Sequence, residues 1–213
     1  MFWELLNLFC NFVDVFLKLN KECTLIIKFK INTMYKEKEK VVLVDKDDRQ
    51  IGLMEKIEAH EKALLHRAFS VFVFNDKGET LLQQRAAHKY HSPGLWTNTC
   101  CSHQRDGESN IAAGKRRLQE EMGFTTALEE VLSFIYHAPF DNGLTEHEYD
   151  HIMVGKFNDQ PVPNPDEVAS WKWMSLKDIK ADIAVNPDHY TAWFKIIFEK
   201  FYVHIEQQST NVL

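Results

Sequence analysis

Two apolar runs, VVLVD (41–45) and IGLMEKI (51–57), flank the polar stretch KDDRQ, a pattern that predicts a β-hairpin. A second pair, AFSVFVF (68–74) and ETLLQQR (79–85), flanks NDKG, whose glycine sits where a turn needs positive φ. The periodicity changes at Ser109. SNIAAGKRRLQEEM (109–122) is built from helix formers, begins with a capping Ser/Asn pair and stops before Gly123, so it predicts a helix with both ends marked. VLSFIYH (131–137) and EHEYDHIMVGKF (146–157) read as strands, and Pro161, Pro163 and Pro165 force a loop after them. VASWKWMSL (168–176) alternates into another strand. After Asn186-Pro187, YTAWFKIIFEKFYVHI places apolar residues at helical spacing and predicts a long C-terminal helix. Strands, helix, strands, helix is the order of an α+β sandwich, not of a doubly wound sheet. No internal repeat or low-complexity tract interrupts it.

Composition narrows the function classes. A chain of 213 residues with 45% hydrophobic and 26% charged residues suits one well-buried domain. Its formal net charge of −6 argues against bulk nucleic-acid binding, so an anionic ligand must meet a local basic cluster. Cysteines 10, 23, 100 and 101 make no disulfide framework, and the vicinal pair would bridge only under strain, so a reducing, cytoplasmic setting is expected. The opening MFWELLNLFCNFVDVFLKLN is broken by Glu4, Asn7, Asn11 and Asp14, short of the roughly 20 apolar residues that span a bilayer. It also lacks the basic start of a signal peptide. An amphipathic docking helix, a surface-lying helix and an upstream extension with the natural start at Met34 all stay open, the last favoured because patterning begins only after YKEKEK. The expected division is an extension over 1–39, one domain over 40–206 and a tail over 207–213.

The stretch WTNTCCSH (96–103) raises a question of parity. In extended chain successive side chains alternate, so Cys101 and His103 share one face while Cys100 and Ser102 share the other. Only one thiol faces what His103 faces. By the same rule Glu146 and Glu148 project together from their strand, and two adjacent carboxylates require a cation or a shared proton. Adding His60, His66 and His103 gives three imidazoles and two carboxylates, a set that suits a divalent first-row metal. His60 and His66, six apart, do not share a helix face, so a loop or strand end must bring them together.

From Glu108 to Phe124 the chain reads E-x7-R-x-x-x-E-E-x-G-hydrophobic, which resembles the Nudix box. Ser102 stands where that box opens with Gly, and Arg117 stands where it carries Glu after the Arg. Arg117 and Glu121 are i,i+4 neighbours, so this substitution turns a metal-binding face into one that also clamps phosphate. Together with GLMEKIEAH, LLHRAFSVFVFN, LLQQRAAHKYHSPGLWTNTCCSH and TEHEYDHIM, the modified box makes residues 40–200 resemble type I isopentenyl-diphosphate isomerases, Nudix-fold relatives. The resemblance implies a Nudix-like α/β/α sandwich with a mixed sheet and a long C-terminal helix. It implies a catalytic thiol at Cys101, and metal ligands at His60, His66, His103, Glu146 and Glu148 holding Mn²⁺, Mg²⁺ or Zn²⁺. Glu148 would double as the acid/base partner of the thiol. Glu121 would help hold Mg²⁺ bound to the diphosphate, with Lys56, Arg85, Lys89 and Arg117 as basic contacts. Tyr136 would relay protons, and Trp193 would face the carbocation.

The implied substrate is a small isoprenoid diphosphate, and a monomer without nucleic-acid or integral membrane association is expected. Which of Cys101 and Glu148 gives the first proton stays open, since the reaction runs both ways. A water-excluding lid is expected, with the last helix its best candidate. Two rival readings are a Nudix diphosphohydrolase and a non-catalytic metal-binding module.

Overall fold

The computed structural model describes residues 39–212; the readings placed on residues 1–38 lie outside them. The first apolar runs form the antiparallel hairpin β1 (Lys40–Val44) and β2 (Gln50–Glu55), with Lys40 opposite Glu55. A six-residue helix, α1 (Lys56–Glu61), then replaces the end of the expected second strand and carries the chain into β3 (His66–Phe74).

β3 organises the sheet. Along one edge it pairs in parallel with β8 (Thr145–Lys156), His66 lying opposite Glu148 and Phe74 opposite Lys156. Its other edge is shared by β1, then β6 (Cys100–Ser102), then β4 (Glu79–Arg85), all antiparallel. β4 also pairs with β5 (Trp96–Thr97) and β9 (Val168–Ser175), and β7 (Leu128–Pro139) closes the far edge against β8. The sheet is therefore mixed, as expected.

Because β3 is covered on both faces it reads as a nearly unbroken apolar run. Phe69, Val71 and Val73 pack with Leu118 and Met122 of α2 (Asn110–Met122). Phe72 and Phe74 pack oppositely, with Phe194 and Ile197 of α4 (Ala192–Val212). Each such fully buried side chain stabilises the fold by roughly 1.5–3 kcal/mol, and the two helices sandwich the sheet.

The markers read for α2 are present. Ser109 accepts a hydrogen bond from the Ala112 amide, and Gly123 ends the helix at φ 77°, where an added Cβ would meet the Val162 carbonyl oxygen at 2.2 Å. Gly78 takes φ 73° in the NDKG turn. Between β9 and α4 stand α3 (Leu176–Val185) and a short 3₁₀ turn, Pro187–His189. α4 runs on through 207–212, where a tail was expected, with the Ser209 hydroxyl donating to the Glu206 carbonyl at 2.7 Å. The described residues make one compact unit, and none of their helices is long and apolar enough to cross a membrane.

Candidate active site

The register of β3 decides where the chemistry can be. Ser70 lies opposite Cys101 on β6 and opposite Ile152 on β8, so Cys101, Ser70 and the even-numbered residues of β8 share one sheet face. That face is the one covered by α4, and Cys101 packs against the cluster containing Trp193. Cys100 points the other way, fully buried among Phe69, Val71 and Leu118 beneath α2. Both thiols are free. The polar residues before them fix this geometry. Asn98 donates to the carbonyls of Val71 (3.2 Å) and Cys100 (2.7 Å) and accepts from the Trp193 indole at 3.3 Å, while Thr99 donates to Leu81 O at 2.6 Å.

Four groups converge beside Cys101. Glu148 Oε1 lies 3.0 Å from His103 Nε2 and 3.5 Å from His66 Nε2, and the His60 ring centroid is 4.7 Å from that of His66. α1 solves the spacing problem of the two histidines: His60 lies in the last turn of that helix, and His66 opens β3 after a short turn. His60 Nδ1 is 2.7 Å from Lys56 O and His66 Nδ1 is 2.8 Å from Leu64 O, so both Nδ1 atoms carry the hydrogen and both Nε2 atoms keep a lone pair. Each Nε2 is buried without a hydrogen-bond partner. Buried unmatched acceptors cost on the order of 1–3 kcal/mol each. One donor atom each from His60, His66, His103 and Glu148 lies within 4.8 Å of the others, and the unmatched Nε2 atoms of His60 and His66 among them fit a divalent cation. His103 is held by the box: Arg116 makes a two-point pair with Glu108, both contacts 2.8 Å, and donates to His103 O at 3.3 Å.

The protonation states fit the same use. Burial, reinforced by the neighbouring imidazoles, lowers His60 from 6.5 to about 4, so its ring is neutral at pH 7. Burial also lowers His103, against the pull of Glu148. The carboxylates diverge. Burial and the charge of Glu148 hold Glu146 well above the usual carboxylate range. Burial also opposes ionisation of Glu148, but the hydrogen bond with His103 and the closeness of the His66 ring outweigh it and hold its carboxyl well below that range. The Tyr136 hydroxyl touches both, at 2.8 Å from Glu146 Oε2 and 2.5 Å from Glu148 Oε2, and stays protonated.

A cation held by this cluster and also by Glu146, which lies with His60 and His91 in a neighbouring group, would displace a proton from Glu146 and none from His60. Calorimetric titration of the protein with Mn²⁺ near pH 7, in buffers of different ionisation enthalpy, is expected to show roughly one proton released per ion, and affinity should rise with pH. Glu146→Gln should abolish that release.

A basic end adjoins the cluster. Lys56, Arg85, Lys89 and Arg117 line the cavity that Cys101, Glu148 and Trp193 also line. Arg117 lies along Glu121 at 2.7 Å and reaches Glu167 at 3.3 Å; Lys89 pairs with the same Glu167, and Lys56 with Glu39. Glu121 also accepts from Gln83 at 2.9 Å. Arg85 sits over the Trp193 ring, 5.2 Å from its centroid. All the residues singled out from sequence are thus gathered at one place.

The NUDIX domain family model matches residues 64–194. A protein of Photorhabdus laumondii named isopentenyl-diphosphate Delta-isomerase 2 is 56% identical over 159 residues, covering 75% of this chain and 90% of its own. An isopentenyl-diphosphate Delta-isomerase of Serratia proteamaculans is 50% identical over 161 residues, with 76% and 90% covered. The chain belongs to the isopentenyl-diphosphate Delta-isomerase family. Among solved structures, the Deinococcus radiodurans protein DR0079 superposes with a TM-score of 0.63 at 18% identity, covering 76% of this chain and 99% of its own, a likeness of fold. A MutT protein of Methanosarcina mazei gives 0.54 at 17% identity, covering 68% and 94%.

Sequence reasoning missed several cavity residues, among them Ser70, Glu39, Tyr90, His91 and Glu167. Tyr90 and His91 lie in the irregular segment between β4 and β5, where no period marks a side chain's direction, and Glu167 follows the proline loop. The last helix, expected as a lid, contributes Trp193 as a buried wall of the cavity.

Proposed function

We propose that the chain interconverts isopentenyl diphosphate and dimethylallyl diphosphate by proton transfer between Cys101 and Glu148. The observation that carries this reading is the placement of those two groups on strands flanking β3 from opposite edges, with both side chains on one face. Moving the double bond requires a proton added at one carbon and removed from another, through a tertiary carbocation or something near it. An acid and a base must therefore stand on either side of a held substrate.

Burial raises the Cys101 thiol far above neutrality, against the pull of Arg85, so it meets the substrate protonated and is the group that can give a proton to the alkene. Glu148, held ionised, is the natural acceptor, and Tyr136 at 2.5 Å is placed to relay. The Trp193 face adds roughly 1–2 kcal/mol to a desolvated cation. The diphosphate would displace Glu167 and Glu39 from Lys89, Arg117 and Lys56, with Arg85 completing the clamp and Glu121 receiving its Mg²⁺. His60, His66, His103, Glu146 and Glu148 would hold a divalent ion, which would supply fixed charge to this centre, and three imidazoles would favour a first-row transition ion over Mg²⁺.

Purified, metal-loaded protein given isopentenyl diphosphate in deuterated water is expected to place deuterium in an allylic product. Release of phosphate without a shifted double bond would instead favour a diphosphohydrolase, and no turnover a binding module.

A further inference from the structure

His91 is buried, lines the cavity, and has no part in the machinery above. Its ring lies parallel to Phe140 (centroids 5.1 Å, 11°) and meets Trp193 edge-on at 5.7 Å, while its carbonyl accepts from Arg85 at 3.2 Å. Nε2 faces Glu146 Oε1 at 3.3 Å, and Nδ1 is buried with no partner. An unmatched acceptor is better tolerated in a core than an unmatched N–H, so the hydrogen belongs on Nε2, aimed at Glu146. Hydrogen counting gives that placement a purpose. The single Tyr136 hydroxyl hydrogen has two carboxylates within reach and serves only one, the nearer being Glu148. Glu146 therefore needs another donor, and His91 Nε2 is the group that faces it.

We propose that His91 is a positioning residue: its Nε2–H holds Glu146 in place as a metal ligand and leaves the Tyr136 hydrogen to Glu148. The inference rests on the metal-site reading above. It also ties the metal centre to the aromatic wall, because the same imidazole touches Trp193.

Two variants separate a donor from a packing role. His91→Phe keeps the aromatic wall and removes the donor; His91→Gln removes the ring and keeps an N–H. Each is loaded with Co²⁺, with bound metal measured by elemental analysis after dialysis and the ligand field read from visible absorption. His91→Phe should bind about tenfold to a hundredfold more weakly, the usual cost of losing an outer partner of a ligand. His91→Gln should stay within about threefold of wild type with the same absorption bands. Wild-type affinity in His91→Phe would overturn the proposal, and so would altered bands in His91→Gln, which would make His91 a direct ligand. Failure of the wild-type protein to bind Co²⁺ would sink the metal-site reading itself.

Discussion

Cys101→Ala is expected to lower kcat for isomerisation by about 10³-fold or more, within the range attributed to a positioned acid or base, while Cys100→Ala leaves it nearly unchanged. The two thiols are adjacent in sequence and chemically alike, yet the strand turns them to opposite faces: Cys101 to the cavity with Glu148, Cys100 into the apolar layer under α2. Removing the Cys100 sulfur leaves a small void among Phe69, Val71 and Leu118, which costs stability on the order of 1 kcal/mol and no reacting group. Removing the Cys101 sulfur leaves the fold and the metal cluster intact and deletes one of the two proton-transfer groups. Kinetics of both variants, with Co²⁺ binding as a check on the centre, decide the matter. Equal loss in both would mean that the thiols act through packing, and equal tolerance would mean that neither carries a proton.

The ease with which this distinction is read from sequence has a physical origin. A strand has a strict period of two, so Cys101 with His103 and Glu146 with Glu148 are paired before any coordinates exist. α2 is legible for a related reason: Ser109 and Gly123 are local signals, and the structure uses both as caps. What escapes is local structure too short to show a period. α1 has six residues and looks like the end of a strand, although it is what carries Lys56 and His60 to the site. α3 follows directly on β9, and the Ser175 and Asp178 pair that caps it is the signal that would have separated them. His91 and Glu167 lie in irregular chain, where function depends on which strands the loop happens to cross. The partnership of Glu167 with both Lys89 and Arg117 joins three distant parts of the chain, and no spacing rule reports it.

Glu148→Gln is expected to be the most damaging single carboxylate change, and Glu146→Gln a recoverable one. Both side chains project from β8 onto the same face and both touch Tyr136, so a simple ligand count would treat them alike. Their surroundings differ. Glu148 meets His103 and His66 and is held ionised; Glu146 meets His91 and is held protonated until a cation arrives. Glutamine at 148 removes a ligand and the proton acceptor together, so kcat should fall by about 10³-fold or more at any metal concentration. It should also stop solvent deuterium from entering recovered substrate. Glutamine at 146 removes a ligand that is already neutral in the metal-free protein and keeps a carbonyl oxygen to offer. Its metal affinity should drop by about tenfold to a hundredfold, by analogy with the loss of supporting groups at metal sites, with most of kcat returning when the ion is supplied in excess. The comparison is sharp because the acid and the amide are nearly the same size, so packing is preserved at both positions. If excess metal restored Glu148→Gln as well, the carboxylate at 148 would be a ligand only, and the base opposite Cys101 would have to be sought in Tyr136.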